Sequence, residues 1–169
     1  TRACETIFRI RYQIIGNPKI SIVIANKDHA EDLKRCVDSV LEKSTYDNYE
    51  IIIVENNSAT SEIKELYEQY EKNHANIKVV TFEGAFNYSA VNNLCVKHAT
   101  GEYILLLNND TEVITSNWME EMLMYAQRED VGAVGAKLLY ADRTIQHAGV
   151  VLGLGAHRTA GHGHYKMSV

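Results

Sequence analysis

"ISIVIANKDHAEDLKRCV", residues Ile20 to Val37, holds the pattern on which the fold reading turns. Ile20 to Ala25 is a β-branched apolar run of the kind found in strands buried on both faces. A short polar stretch, "NKDH", follows, and then Leu33, Cys36, Val37, Val40 and Leu41 recur at the spacing of one helix face. Asp28 with Glu31 three residues later has the form of a capping box, which predicts that Asp28 starts the helix.

The same unit then repeats. Ile51 to Val54 is apolar, "ENNS" is polar, and Ile63, Leu66, Tyr67 and Tyr70 form the next stripe. Ile77 to Phe82 predicts a third strand. After a glycine-containing loop, Tyr88, Val91, Leu94, Cys95 and His98 stripe a third helix, which Gly101 is predicted to stop as a left-handed cap. Tyr103 to Leu107 reads as a buried fourth strand that runs straight into Asn108, Asn109 and Asp110. Strand alternating with helix predicts an α/β fold, an open and mostly parallel Rossmann-like sheet with helices on both faces. Ligands bind such sheets beyond the carboxyl ends of the strands. The polar clusters Asn26–Asp28, Glu55–Ser58 and Asn108–Asp110 are therefore predicted to converge on one edge.

Downstream, Trp118, Met119, Met122, Leu123 and Ala126 predict an amphipathic helix. Val131 to Tyr140 reads as extended, with "ADRT" turning into Ile145–Leu152 as a hairpin. The predicted organisation is a lead-in over 1–18, one domain over 19–154 and a Gly/His-rich mobile end over 155–169.

Bulk properties narrow the function classes. The 169 residues suffice for one domain with a real core, and 46% apolar with 23% charged residues is ordinary for a globular chain. A net charge of -5 lacks the basic footprint of nucleic-acid binding, so an anionic substrate needs help from a cation. Cys4, Cys36 and Cys95 have no C-x-x-C spacing, which argues against a disulfide framework and a thiolate zinc site and fits a reducing compartment. No stretch approaches the roughly 20 apolar residues of a membrane span, and no signal peptide is visible. The chain begins at Thr1, which suggests a cut from something longer.

Asp110 is the most informative carboxylate, because it follows a strand at the point where a ligand's phosphates are expected. Magnesium-type ions take one or two protein carboxylates and complete their shell with water and phosphate oxygens. Such an ion also reverses the repulsion between this acidic chain and a diphosphate. The competing reading is a plain Asn/Asp turn. Glu55 and Asn56 offer acceptor and amide groups suited to a nucleobase edge and a ribose, although Asn57-Ser58 also reads as a helix N-cap. Asn87, Asn92 and Asn93 sit at a helix start, where anion binding competes with capping. His157, His162 and His164 lack a fourth ligand for zinc; completion of the Asp110 shell by one of them is the better reading. His147 reads more simply as a half-buried residue than as a substrate contact.

In their order, "KISIVIANKD", "EIIIVENNS" and "FNYSAVNNLCVKHATGEYILLLNNDTEV" resemble the family 2 glycosyltransferases of the GT-A fold, over about Lys19 to Leu154. The resemblance implies that Asp110 ligates Mn2+ or Mg2+ and that Asn108 stands at the first Asp of the D-x-D motif. It places Glu55 and Asn56 at the nucleobase, Ala25 and Asp28 along the nucleoside, and Asn87 and Asn93 near the donor. Ala25 replaces the usual Pro, Asn108 the usual Asp, and "ENNS" the commoner "DDGS". With "TIQHAGVVLG" downstream, these variants look most like bacterial rhamnosyltransferase-type enzymes of cell-surface polysaccharide synthesis.

The implied reaction moves a sugar from a UDP- or dTDP-linked donor to the hydroxyl of a carbohydrate or lipid-linked acceptor, with inversion. The implied location is cytoplasmic, and a peripheral place at the inner membrane face is compatible with it. The general base is expected beyond the end of the chain, so no catalytic base is named and the oligomeric state is left open. A sugar-nucleotide pyrophosphorylase is one rival, but it needs a glycine-rich phosphate loop, and "ANKDHAED" contains no glycine. An inactive donor-binding module is the other.

Overall fold

The structure is a computed structural model and describes residues 8–149; His157, His162, His164 and the Gly/His-rich end lie outside the described residues. Its elements run β1 (Ile20–Asn26), α1 (Ala30–Lys43), β2 (Tyr49–Glu55), α2 (Ser61–Asn73), β3 (Ile77–Thr81), α3 (Tyr88–His98), β4 (Tyr103–Asn108), α4 (Trp118–Ala126), β5 (Leu138–Leu139) and β6 (Ile145–His147). The chain divides into two compact units, Ile15–Met119 and a second made of the two terminal segments.

The first unit is built on a four-stranded sheet in the order β3-β2-β1-β4, parallel throughout. The connections from β1 to β2 and from β2 to β3 step in one direction, so right-handed crossovers place α1 and α2 on one face. The return from β3 to β4 runs the other way and puts α3 on the opposite face. Packing agrees: Val23, Ile52 and Val54 meet Val91 and Cys95 of α3. Ile22, Ile24, Ile51 and Ile53 point the other way and are fully buried. Strands sandwiched on both faces have no need of polar alternation, which is why residues 22–25 of β1 and 51–54 of β2 read as unbroken apolar runs. Cys36 and Cys95 are buried free thiols, and burial pushes the Cys95 thiol up to about 12.

Two expectations need correction. β4 is not buried like β1: it forms an edge of the four-stranded sheet, and Ile104 and Leu106 are 40% and 52% exposed. A run of leucines does not reveal how many neighbours its strand has. Gly101 is not a left-handed cap either, because α3 ends on an extended Ala99 and Gly101 is not among the positive-φ glycines. Its reason is close approach: a Cβ there would lie 2.6 Å from the Lys19 carbonyl oxygen and 2.7 Å from the Ser21 nitrogen.

That close approach belongs to a polar lock at the amino ends of the strands. Glu50 of β2 is 7% exposed and accepts hydrogen bonds from the Ser21 hydroxyl at 2.7 Å, the Thr100 N–H at 2.7 Å and the Lys19 ammonium at 3.2 Å. The Gly101 N–H in turn donates to Ser21 Oγ at 2.9 Å. Burial alone pushes the Glu50 carboxyl up, but the donors from Ser21, Thr100 and Lys19 outweigh it and bring it down to about 2.

The second unit holds the described part of the lead-in. Arg9 and Arg11 both pair with Glu121, and the Tyr125 hydroxyl donates to the Ile10 carbonyl at 2.7 Å. Arg128 lies 4.6 Å from the centre of the Tyr12 ring. The extended segment over 131–140 shrinks to β5, which pairs antiparallel with β6. The "ADRT" turn forms as expected, with Asp142 accepting from the Thr144 N–H at 2.9 Å and Arg143 at φ 65.

Two predictions follow from the lock. A Glu whose folded pKa is lowered contributes stability above its ordinary value of 4.5 that is lost as pH falls toward about 2, so Glu50→Gln should flatten the acid limb of a urea-stability profile. At neutral pH the same variant should lose about 1–3 kcal/mol, and an unchanged profile would contradict the lock. Gly101→Ala and Gly101→Asn should lower the melting temperature alike, whereas a left-handed cap would favour Asn.

Candidate functional site

The sheet order reverses between β1 and β4, the place where ligands sit in open parallel sheets. Register fixes what meets there: Ala25 pairs with Asn108, and Asn26 pairs with Glu55. A cleft of about 310 Å³ opens at this point, lined among others by Ala25, Asn26, Lys27, Asn56, Asn108 and Asn109. His29, Phe86, Tyr88 and Asn92 complete its polar and aromatic wall, and Lys27 and His29 are the basic side chains in the lining.

Of the residues singled out from the sequence, the cleft brings together Ala25, Asn56 and Asn108. Asp28, Glu55, Asn87, Asn93 and Asp110 are not part of its lining. Several of these have structural work. Asn87 caps α3, its side chain accepting from the Ala90 N–H at 3.0 Å. Glu55 accepts from the Ser58 N–H within its own loop. Asn56 is buried and donates to the carbonyls of Phe82 at 3.1 Å and Gly84 at 3.2 Å, which ties the loop after β2 to the loop after β3.

Asp28 does not form the local capping box. α1 starts behind His29, which has no side-chain cap bond, and both Asp28 and His29 have positive φ. The Asp28 carboxylate instead accepts from the N–H groups of Ala59 at 2.8 Å and Thr60 at 3.2 Å, just ahead of α2. Its own N–H donates to Ser58 Oγ at 2.9 Å. These backbone donors, Ala59 first, hold the Asp28 carboxyl below its usual range. The expected N-cap at Asn57-Ser58 also gives way, since α2 has Thr60 at its N-cap. Negative charge near a helix N-terminus is favourable, and it comes here from another loop.

Asp110 stands in the turn that follows β4. Its carboxylate makes no hydrogen bond or ion pair with the described residues, whereas its neighbours are tied. The Asn109 amide donates to Asn26 Oδ1 at 2.7 Å, and the Thr111 hydroxyl donates to the Asn108 carbonyl at 2.8 Å. No group of three His, Cys, Asp or Glu able to hold a metal exists among the described residues. One unengaged carboxylate in the turn after β4 suits an ion that draws most of its shell from water and a diphosphate.

Sequence reading placed Asn26, Lys27 and Asn109 within the converging clusters without giving them a role, and missed His29, Phe86 and Tyr88 as wall residues. A signal existed for Asn26: it continues the core-facing positions Ile22 and Ile24, where an amide is costly unless it has partners.

The fold belongs to the GT-A, Rossmann-like class: a mannosyltransferase from Pyrobaculum calidifontis, solved in complex with GDP-Man and Mn2+, matches with a TM-score of 0.62 at 14% identity, over 76% of this chain and 38% of that one. The family model for glycosyl transferase family 2 matches residues 21–152, and the chain belongs to that family. It is 44% identical over 147 residues to the O-antigen biosynthesis protein RfbC of Myxococcus xanthus, covering 87% of this chain and 11% of that protein. It is also 44% identical over 157 residues to the protein y4gI of Sinorhizobium fredii, covering 93% of this chain. The chain thus spans 17% and 11% of the length of these two relatives.

The Asp28 bridge generates a test. Asp28→Ala should lower the melting temperature and speed amide hydrogen exchange at Ala59 and Thr60 while leaving α1 unaffected. Fraying of α1 instead would restore the local capping box.

Proposed function

We propose that this chain is the donor-binding part of an inverting glycosyltransferase, which moves a sugar from a nucleotide diphosphate to an acceptor hydroxyl. The observation that carries the reading is the cleft at the strand-order reversal, where the ends of β1 and β4 meet the loop after β2. Family membership supports the reaction class. Lys27 in the cleft wall supplies positive charge for an anionic ligand in a chain of net charge -5.

In this reading Asp110 holds Mn2+ or Mg2+, with Asn108 at the first position of the D-x-D motif, and the ion when bound offsets the negative charge on the departing diphosphate, a contribution of several kcal/mol. Asn56 and Glu55 border the nucleobase, Ala25 and Asp28 run along the nucleoside, and Asn87 and Asn93 stand toward the donor sugar. Phe86 and Tyr88, both exposed, give the wall apolar surface for a sugar or base ring. The donor is UDP- or dTDP-linked and the acceptor a carbohydrate or lipid-linked carbohydrate, in bacterial cell-surface polysaccharide synthesis on the cytoplasmic side. Among the described residues no helix is long and apolar enough to cross a membrane.

A second reading has its own observation. Among the described residues no carboxylate lines the cleft, so they offer no acidic general base there to take the acceptor's proton. The chain alone is then a module that binds donor without turnover. Release of free sugar or transfer to an acceptor by the isolated chain separates the two readings.

Calorimetric titration with UDP, dTDP and GDP, with Mn2+ or with chelator, tests the site. Binding should strengthen at least about tenfold with the ion, and Asp110→Ala should abolish that gain. An equal gain in the variant would remove Asp110 from the site.

A further inference from the structure

We infer that Asn26 is a positioning residue: through Asn109 it fixes the turn that carries Asp110. The inference rests on the assignment of Asp110 proposed above. Asn26 is the last residue of β1, 4% exposed, and shares a sheet face with the fully buried Ile22 and Ile24. An apolar side chain would suit that position without any need for partners, whereas a buried amide requires them.

Its partners reach three different parts of the rim. Asn26 Nδ2 donates to the Asp28 carbonyl at 2.8 Å and to the Tyr67 hydroxyl of α2 at 2.8 Å. Its Oδ1 accepts from Asn109 Nδ2 at 2.7 Å. The orientation is determined by chemistry, because a backbone carbonyl can only accept. The nitrogen must face Asp28, the oxygen must face the other way, and Asn109 must therefore present its own NH2 group.

Asp110 consequently lies between two tethered neighbours. Asn109 is held to β1 through Asn26, while Thr111 is held to the Asn108 carbonyl by its hydroxyl at 2.8 Å and its N–H at 3.4 Å. Cys36 Sγ approaches the same carbonyl at 3.5 Å. The backbone on either side of Asp110 is pinned and its carboxylate is left unengaged, the arrangement expected of a ligand whose partner comes from outside. Groups that orient a metal ligand commonly matter about 10- to 100-fold in metal affinity.

The test uses the 169-residue chain and reads metal binding. Free Mn2+ is counted by electron paramagnetic resonance during titration with saturating UDP, in parallel with dTDP and GDP, against each nucleotide alone. Nucleotide affinity is measured separately with chelator. Asn26→Leu and Asn109→Leu should each weaken Mn2+ binding by about tenfold or more. The double variant should bind Mn2+ no worse than either single one, and because both residues also line the cleft, the loss of Mn2+ affinity should exceed any loss of chelator-treated nucleotide affinity by about tenfold or more. Asn109→Leu, at a partly exposed position, keeps the test intact should Asn26→Leu fail to fold.

Mn2+ binding unchanged in Asn109→Leu but lost in Asp110→Asn overturns this inference and leaves the Asp110 assignment standing. No Mn2+-dependent binding in the starting protein overturns both. A proportional loss of chelator-treated nucleotide affinity shows general disruption and also overturns it.

Discussion

Parallel pairing on both sides of β1 constrains everything at the carboxyl rim of the sheet. With Ala25 beside Asn108 and Asn26 beside Glu55, the loops after β1, β2 and β4 leave the sheet at one level. The order β3-β2-β1-β4 then requires the chain to reverse its direction of travel at β1, which parts the loops there and opens the cleft. Apolar burial supplies the driving force, since Ile22, Ile24, Ile51, Ile52 and Ile53 are fully buried, and the buried polar contacts from Ser21 to Glu50 and from Asn26 to Tyr67 hold the register at the two ends of the strands.

Most of the polar chemistry at the rim serves to hold the rim together. Asp28 bridges to the start of α2, Glu55 closes its own loop, Asn56 ties down the loop after β3, and Asn87 caps α3. Each of these satisfies backbone groups that would otherwise be costly to withdraw from water. Asp110 and Lys27 are different, since neither side chain makes a hydrogen bond or ion pair with the described residues. Tied and unengaged side chains are thus neighbours of similar type, so an Asn or Asp count alone does not separate them.

The alternation of strand and helix was legible because burial on both faces writes unbroken β-branched runs, and α1 and α2 write apolar stripes at helical spacing. What was not legible depends on partners distant in the chain. Asp28 looks like a local cap because Glu31 is close in sequence, yet its donors are Ala59 and Thr60. Gly101 looks like a stop signal, yet its constraint is the backbone of Lys19 and Ser21. The leucines of β4 look like a central strand, although β4 closes one side of the sheet. For the site, the polar ends of the strands were readable as a set. The link from Asn26 to Asn109 was not, because nothing near either residue indicates that the two meet.

The central claim is spatial: three loops distant in sequence surround one ion-binding point. Paramagnetic broadening by Mn2+ in the presence of UDP, read across the amide signals of the isotope-labelled chain, tests it directly. The account predicts that signals from 26–28, 55–58 and 108–111 broaden together while those of α2 beyond its first turn remain sharp. Broadening confined to one of these loops, or scattered over the acidic surface, would contradict it.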